Sequence, residues 1–345
     1  MLEPILSVCI NTRNRAAYLG ETLDSILRQA REGVEVVVVD GASDDNTPTR
    51  MHAYTRAWPV VKYVRSDTPV GIDEGYDLAV QHARGGYCWM MTDDDLIVEG
   101  AIDRLMAEIV AGYDLILVDL DCYTKDMALS LHQPLYGAVQ DRVFSSTQAP
   151  DFWAVCGKGL SYIGSVVLRR SIWFEHERTG YYGSYFVHVG VILESTAIHR
   201  ALLMSTPYIK YRSGNSSWTP RSFEIWNFKW PCLIWESTRL PKAAKLAAVE
   251  AEPWRRKLSA LKSRAMGEYD VNVFGTWLAD RLSRKQRLPF LLMALLPRGL
   301  LNSALLLFCL MFRRSNHYTI YNFILSSPWP CFARQMSAAM GVKFG

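Results

Sequence analysis

Two glycine signatures for phosphate binding are missing from this sequence: it contains neither GxGxxG nor GxxxxGK followed by Ser or Thr. A fingerprint-type dinucleotide fold and a P-loop are therefore excluded, and any phosphate has to be held another way. None of the seven cysteines forms a CxxC pair and no two histidines make an HxxxH pattern, which argues against a zinc framework. The odd count and wide spacing fit reduced thiols in a cytosolic compartment. No signal-peptide pattern opens the chain, because Glu3-Pro4 leads straight into a strand-like run. Without secretion signals, the formal sequon Asn215-Ser216-Ser217 reads as a surface loop. Acids become scarce towards the C-terminus. Residues 253–345 hold 14 Lys and Arg against three Asp and Glu, whereas the preceding 252 hold 24 against 31. An acidic body with a basic tail suggests two tasks, the tail facing an anionic surface. Half of the 345 residues are hydrophobic, which excludes disorder and allows a large core.

The first 120 residues alternate two periodicities. Ile5–Ile10, Val34–Val39, Val60–Val64, Tyr87–Met91 and Leu115–Leu120 are short apolar runs rich in β-branched residues. Between them, Ala17–Ala30, Asp44–Ala57, Asp73–Ala83 and Gly100–Ala111 carry helical spacing. Strands alternating with helices predict an α/β fold: a mostly parallel central sheet, Rossmann-like, with helices on both faces. Val166–Leu168 and Tyr208–Arg212 read as further strands, and Pro241–Arg264 as a helix. Leu288–Phe312 is the most apolar stretch, but Pro297 and Gly299 divide it. Neither half reaches the ~20 residues that a bilayer-spanning helix needs. Two short apolar helices edged by Arg313 and Arg314 fit a membrane surface, contacted through residues 288–314, better than nucleic acid; the alternative is a helical pair packed on the main domain. The expected division is a domain over 1–240, with halves 1–120 and 121–240, and a basic, helical, membrane-associating region over 241–345.

In an open parallel sheet, ligands bind beyond the carboxyl ends of the strands. Here those ends read Asn11-Thr12-Arg13-Asn14-Arg15, Asp40-Gly41-Ala42-Ser43-Asp44, Arg65-Ser66-Asp67 and Thr92-Asp93-Asp94-Asp95. One polar strand end is an ordinary loop; four on one edge make a site. Three adjacent aspartates repel one another unless a cation compensates. With no glycine cradle, Mg²⁺ or Mn²⁺ held by one or two of Asp93, Asp94 and Asp95 is the expected phosphate partner. Asp40, after a valine strand, is placed to accept hydrogen bonds from a ribose or base. Arg13 and Arg15 are candidates for phosphate pairing or for orienting the first loop. Asp67 lies on the same edge. Arg212, before Gly214, is a candidate for closing over a diphosphate.

These residues also carry a family resemblance. Ser7–Arg15 resembles the opening SVxIPTYNR of family 2 glycosyltransferases, Val36–Thr47 resembles their VVDDGSTDGT, and Gly71–Asp95 resembles the stretch ending in GEYxxxLDxDD. The three motifs keep the family's order over residues 5–120. In narrower flavour the chain is similar to abequosyltransferase-type enzymes of bacterial surface-polysaccharide (O-antigen) assembly. The resemblance implies a GT-A fold, a nucleotide-diphosphate sugar donor and an inverting transfer to a saccharide; the basic, apolar tail suits an acceptor that is polyprenyl-linked at the inner membrane face. It implies that Thr12 and Asp40 contact the nucleoside, that Asp93 lies near the ribose and that Asp94 or Asp95 holds the metal. The family's usual Glu-Asp pair is absent where its base belongs, and Tyr185–Val189 stands there, with Glu194 just beyond. His188 is therefore the expected base, because its ordinary pKa suits proton transfer; the alternative is a core histidine bonded to a backbone carbonyl. Glu194 and Asp151 stand behind it. A nucleotidyl- or phosphotransferase on the same sheet edge, and a non-catalytic partner of polysaccharide machinery, are the competing readings.

Overall fold

A computed structural model describes residues 3–216 and 218–344, so the sequon's Ser217 lies outside the described residues. The chain divides into two compact units. The first comprises residues 1–121, 134–211 and 233–249, and the second comprises 122–133, 212–232 and 250–345. The boundary is thus discontinuous and not a single cut near residue 240.

The first unit is built on a sheet. The chain's strands are β1 (Leu6–Thr12), β2 (Val34–Asp40), β3 (Val61–Arg65), β4 (Tyr87–Met91), β5 (Leu96–Ile97), β6 (Leu115–Tyr123), β7 (Ser130–Pro134), β8 (Arg142–Phe144), β9 (Val166–Arg169) and β10 (Ala201–Arg212), all in the first unit save most of β7 and the last residues of β6 and β10. The main path runs β3-β2-β1-β4-β9-β6-β10-β5. β1 pairs in parallel with β2 on one side and β4 on the other, so Thr12 lies beside Asp40 and Ile10 beside Met91. β2, β4 and most of β1 are fully buried, which explains their near-continuous apolar sequences. Helices α1 (Ala16–Leu27), α2 (Thr47–Ala57), α3 (Ile72–His82) and α4 (Ala101–Val110) follow β1, β2, β3 and β5 in the chain. β9 runs antiparallel to β4 and β6, and β5 antiparallel to β10, so the sheet is mixed at this end.

Chain order reverses direction across the sheet at β1 and β4, which opens a crevice above their carboxyl ends. Asn11 and Thr12 end one strand there, and Thr92–Asp95 follow the other.

The second unit is helical. Phe223, Trp254, Tyr269, Leu278 and Phe290 form one buried cluster, with Phe223 stacked on Tyr269 at 4.8 Å. Leu306, Leu310, Ile320, Phe323 and Ala333 form a second. The single helix expected over Pro241–Arg264 is two, Lys242–Ala248 in the first unit and Lys257–Met266 in the second. The break follows from Pro253, which has no backbone donor to continue the ladder. Arg284–Leu295 and Arg298–Phe312 are separate helices bent by 87° at Pro297. Among the described residues no single helix is long and apolar enough to cross a membrane, and this bent pair passes by length and composition only.

Candidate active site

The loop after β1 is stitched to the loop after β2. Gly41 N–H donates to Thr12 O at 2.9 Å, Asn14 N–H to Ser43 Oγ at 2.9 Å, and Ala16 N–H to Asp45 Oδ2 at 3.0 Å. Asn14 and Ala42 sit in the left-handed region, at φ 56° and 60°. Asp40 is wholly buried: Oδ1 accepts from Ser43 N–H at 2.8 Å and Oδ2 from the Tyr63 hydroxyl at 2.6 Å. Each oxygen accepts one bond there, and a carboxylate oxygen has two acceptor sites, so Asp40 keeps the capacity for the nucleoside contact expected of it.

Above β4 the three aspartates take different roles. Arg15 reaches both Asp93, with Nε 3.3 Å from Oδ1, and Asp94, through Nη2. Its guanidinium also lies 4.9 Å from the centre of the Tyr18 ring. Burial, with Asp94 adding to it, pushes the Asp93 carboxyl up to about 6, although Arg15 and Thr12 favour its charge. Burial opposes the charge on Arg15, yet Asp93 and Asp94 outweigh it and raise its pKa. The Thr12 hydroxyl, 1% exposed at residue level, meets no partner at hydrogen-bonding geometry; it is near enough to Asp93 to act on it electrostatically. Asn11 Oδ1 is likewise buried without a partner. It fits only because residue 75 is glycine, where a Cβ would come within 2.0 Å of it.

Asp95 is fully buried, and its Oδ2 accepts from the hydroxyls of Thr92 and of Tyr162, the latter at 2.6 Å. Tyr162 packs edge-on against Tyr211, with ring centres 5.6 Å apart. Asp95 is thus fixed through Oδ2 by two hydroxyls, whereas Asp93 and Asp94 are the pair that Arg15 bridges. Among the described residues no three His, Cys, Asp or Glu side chains gather as a ready metal cage. Asp93 and Asp94 do fit one: the guanidinium between them is a stand-in for a cation, and magnesium-type sites need only one or two carboxylates beside substrate phosphates. α3 closes this side, with the buried Tyr76 hydroxyl donating to Met91 O at 3.1 Å.

The expected base is overturned. His188 is 0% exposed, and its Nε2 lies 2.8 Å from Leu160 O. Burial pushes its pKa down to about 4. It is a core histidine on the helix Val187–Glu194 and cannot meet a substrate hydroxyl. That helix starts against Asp73, which accepts from Val187 N–H at 3.0 Å and Tyr185 N–H at 2.8 Å. Glu194 lies seven residues on, about 10 Å further at 1.5 Å per residue. It is committed to Arg239 at 3.1 Å and to the Tyr181 hydroxyl at 3.4 Å. Asp151 is exposed in the first turn of the helix Pro150–Cys156, where an acid complements the helix dipole. Neither is brought to the aspartates. Arg13 and Asp67 are exposed on their loops. Arg212 belongs to the second unit, where it is buried and donates to Lys125 O at 2.7 Å; it does not sit on an open loop.

The profile of the family described as Glycosyl transferase family 2 matches residues 7–157, the stretch that supplies every crevice residue above except Tyr162 and Tyr211. Residues 7–157 resemble a family 2 glycosyltransferase domain, and the chain is a glycosyltransferase. It is 25% identical over 228 residues to the abequosyltransferase RfbV of Salmonella typhimurium, covering 62% of this chain and 68% of that protein. It is 32% identical over 99 residues to a PGL/p-HBAD biosynthesis glycosyltransferase of Mycobacterium bovis, covering 29% of this chain and 39% of the relative. In fold it resembles S. aureus TarS 1–349 in complex with UDP, with a TM-score of 0.57 at 16% identity, over 97% of this chain and 91% of that one. A TarS 1–349 complex with UDP-GlcNAc gives the same score over 99% and 93%. The glycosyltransferase sheet is thus of the GT-A type.

Proposed function

We propose that this glycosyltransferase moves a sugar, with inversion, from a nucleotide-diphosphate donor to a hydroxyl of a lipid-linked saccharide in bacterial polysaccharide assembly. The observation that carries the donor side is one arginine bridging two adjacent carboxylates at the β1/β4 crevice. That pair is built for a cation, and the donor that brings one is a diphosphate. Asp93 and Asp94 would hold Mn²⁺ or Mg²⁺, which neutralises charge on the departing diphosphate. Thr12, at the end of β1 beside Asp40, would meet the nucleoside end, and the buried Asp40 ties the loop after β2 through Ser43. The UDP and UDP-GlcNAc complexes of TarS support a nucleotide-sugar donor. The likeness to RfbV supports a polysaccharide product.

The second unit supports attachment to the inner face of the cell membrane. Leu288, Leu292, Leu300, Phe308, Met311 and Phe312 are exposed, Phe312 to 68%. Exposed Arg284, Lys285, Arg287, Arg313 and Arg314 lie next to them in the chain. Apolar side chains flanked by cations suit an anionic lipid surface, where a lipid-linked acceptor resides.

The test is a panel of UDP-, GDP-, CDP- and dTDP-sugars, each with Mn²⁺ or Mg²⁺, read by thermal stability. One donor should raise Tm in a metal-dependent way. No shift with any of them sinks the reading, and turnover of nucleoside triphosphates without sugar transfer would favour a phosphotransferase instead.

A further inference from the structure

We propose that Arg15 is an internal cation that occupies the place between Asp93 and Asp94 until donor and metal arrive, and that it then leaves the carboxylates for the donor's diphosphate. The inference rests on the reading of that aspartate pair as the cation end of the donor site. Three features of the chain support it.

First, Arg15 serves two carboxylates at once, contacting Asp93 through Nε and Asp94 through Nη2. A divalent ion would approach the same oxygens to ~2.0–2.1 Å. Guanidinium and metal cannot share that space, so binding one expels the other. Second, the backbone of Arg15 is fixed while its side chain is long. Arg15 O accepts from Tyr18 N–H at 2.9 Å and Leu19 N–H at 3.0 Å, and the neighbouring Asn14 is tied to Ser43 and Asp44. The side chain can therefore swing without unravelling the loop or α1. Third, an arginine released at this edge sits where a diphosphate must lie, and its planar fork matches phosphate oxygens in pairs.

The consequence is a coupling. Metal alone has to break the Arg15 pairs and binds weakly; metal with a diphosphate gives Arg15 a new anion and binds tightly. By linkage, the diphosphate gains the same factor from the metal. The device also keeps the adjacent carboxylates compensated in the donor-free protein, so the crevice does not have to trap a stray cation to stay folded.

The test is Mn²⁺ binding to the full-length, donor-free protein, followed by electron paramagnetic resonance of free Mn²⁺ and by calorimetry. It is repeated with UDP, GDP, CDP and dTDP present. Wild type should bind Mn²⁺ weakly alone and at least tenfold more tightly with one diphosphate. Arg15→Gln should bind Mn²⁺ alone at least tenfold more tightly than wild type, and its gain from the diphosphate should shrink by a similar factor. Arg15→Lys, which keeps the charge, should fall between them and guards against a folding defect in the neutral variant. Equal or weaker Mn²⁺ binding by Arg15→Gln, with wild type still binding Mn²⁺ in the presence of a diphosphate, overturns the role of Arg15 and leaves the metal site standing. No Mn²⁺ binding by wild type with any diphosphate overturns both.

Discussion

The Tyr162 hydroxyl donates to Asp95 Oδ2 at 2.6 Å, joining the end of β4 to the turn that precedes β9. A fully buried carboxylate is stable only when it is hydrogen-bonded, and Tyr162 and Thr92 both donate to Oδ2 of Asp95. Tyr162→Phe should therefore cost about 1.5–3 kcal/mol, the usual loss for a hydrogen bond to a charged group. Chemical denaturation would read it as a lower midpoint with an unchanged slope. An unaltered midpoint would mean that Asp95 is satisfied without the tyrosine.

His188 gives the protein a predictable acid limb. Its pKa is lowered to about 4 by burial, from an ordinary 6.5. Below pH 6.5 the unfolded chain binds a proton that the folded one refuses, so the stability this residue contributes is complete above pH 6.5. It is lost as pH falls towards 4. The loss is on the order of 3 kcal/mol. His188→Gln should flatten that limb of the stability profile while transfer activity, measured with saturating donor and acceptor, stays within a few-fold of wild type. A large fall in turnover with intact folding would restore His188 to the reaction.

Attachment to lipid is best tested on the surface. Removing the chain from Leu288 onward would take away Phe290, Leu306 and Leu310, which are core residues of the second unit. Exposed positions avoid that loss. Phe308→Glu, Met311→Glu and Phe312→Glu together should abolish co-sedimentation with vesicles containing anionic lipid, with helicity and Tm unchanged. Arg313→Ala with Arg314→Ala should weaken binding by about 1 kcal/mol per charge at low salt, and by less as salt rises. Persistent vesicle binding by the triple variant would place the contact elsewhere.

What the sequence disclosed depended on how local the signal was. β1 to β4 and α1 to α4 follow from periodicity, because a strand buried on both faces has little choice but to be apolar. The carboxyl edge of the sheet followed from that topology, and with it Thr12, Arg15 and the aspartates. Partners far apart in sequence left no such trace. Nothing near Tyr162 marks it as the residue that fixes Asp95, and the place of Arg15 between Asp93 and Asp94 spans 78 residues. His188 misled because the pKa of a free imidazole says nothing of its burial; the helix around it, Val187–Leu193, is buried at every position. The break in Pro241–Arg264 was carried by Pro253 and outweighed by the lysine- and alanine-rich composition around it.

The aspartates should separate by mutation into two classes. Asp94 faces Arg15 and repels Asp93, so Asp94→Asn relieves a like-charge contact at the cost of one ion pair. Its effect on stability should be small and its effect on reaction large: kcat down by about 10²–10³, the usual loss when one electrostatic stabiliser of a developing charge is removed. Asp95 has no such freedom. Asp95→Asn replaces a charged acceptor of two hydroxyl bonds by a neutral amide and weakens both, costing about 1–3 kcal/mol. Denaturation midpoints and turnover, measured on both variants, decide the matter. If Asp95→Asn is as stable as wild type and as inactive as Asp94→Asn, the two carboxylates act together on the donor. If Asp94→Asn is the unstable one, the Arg15 bridge is a structural clamp and not a resting cation site.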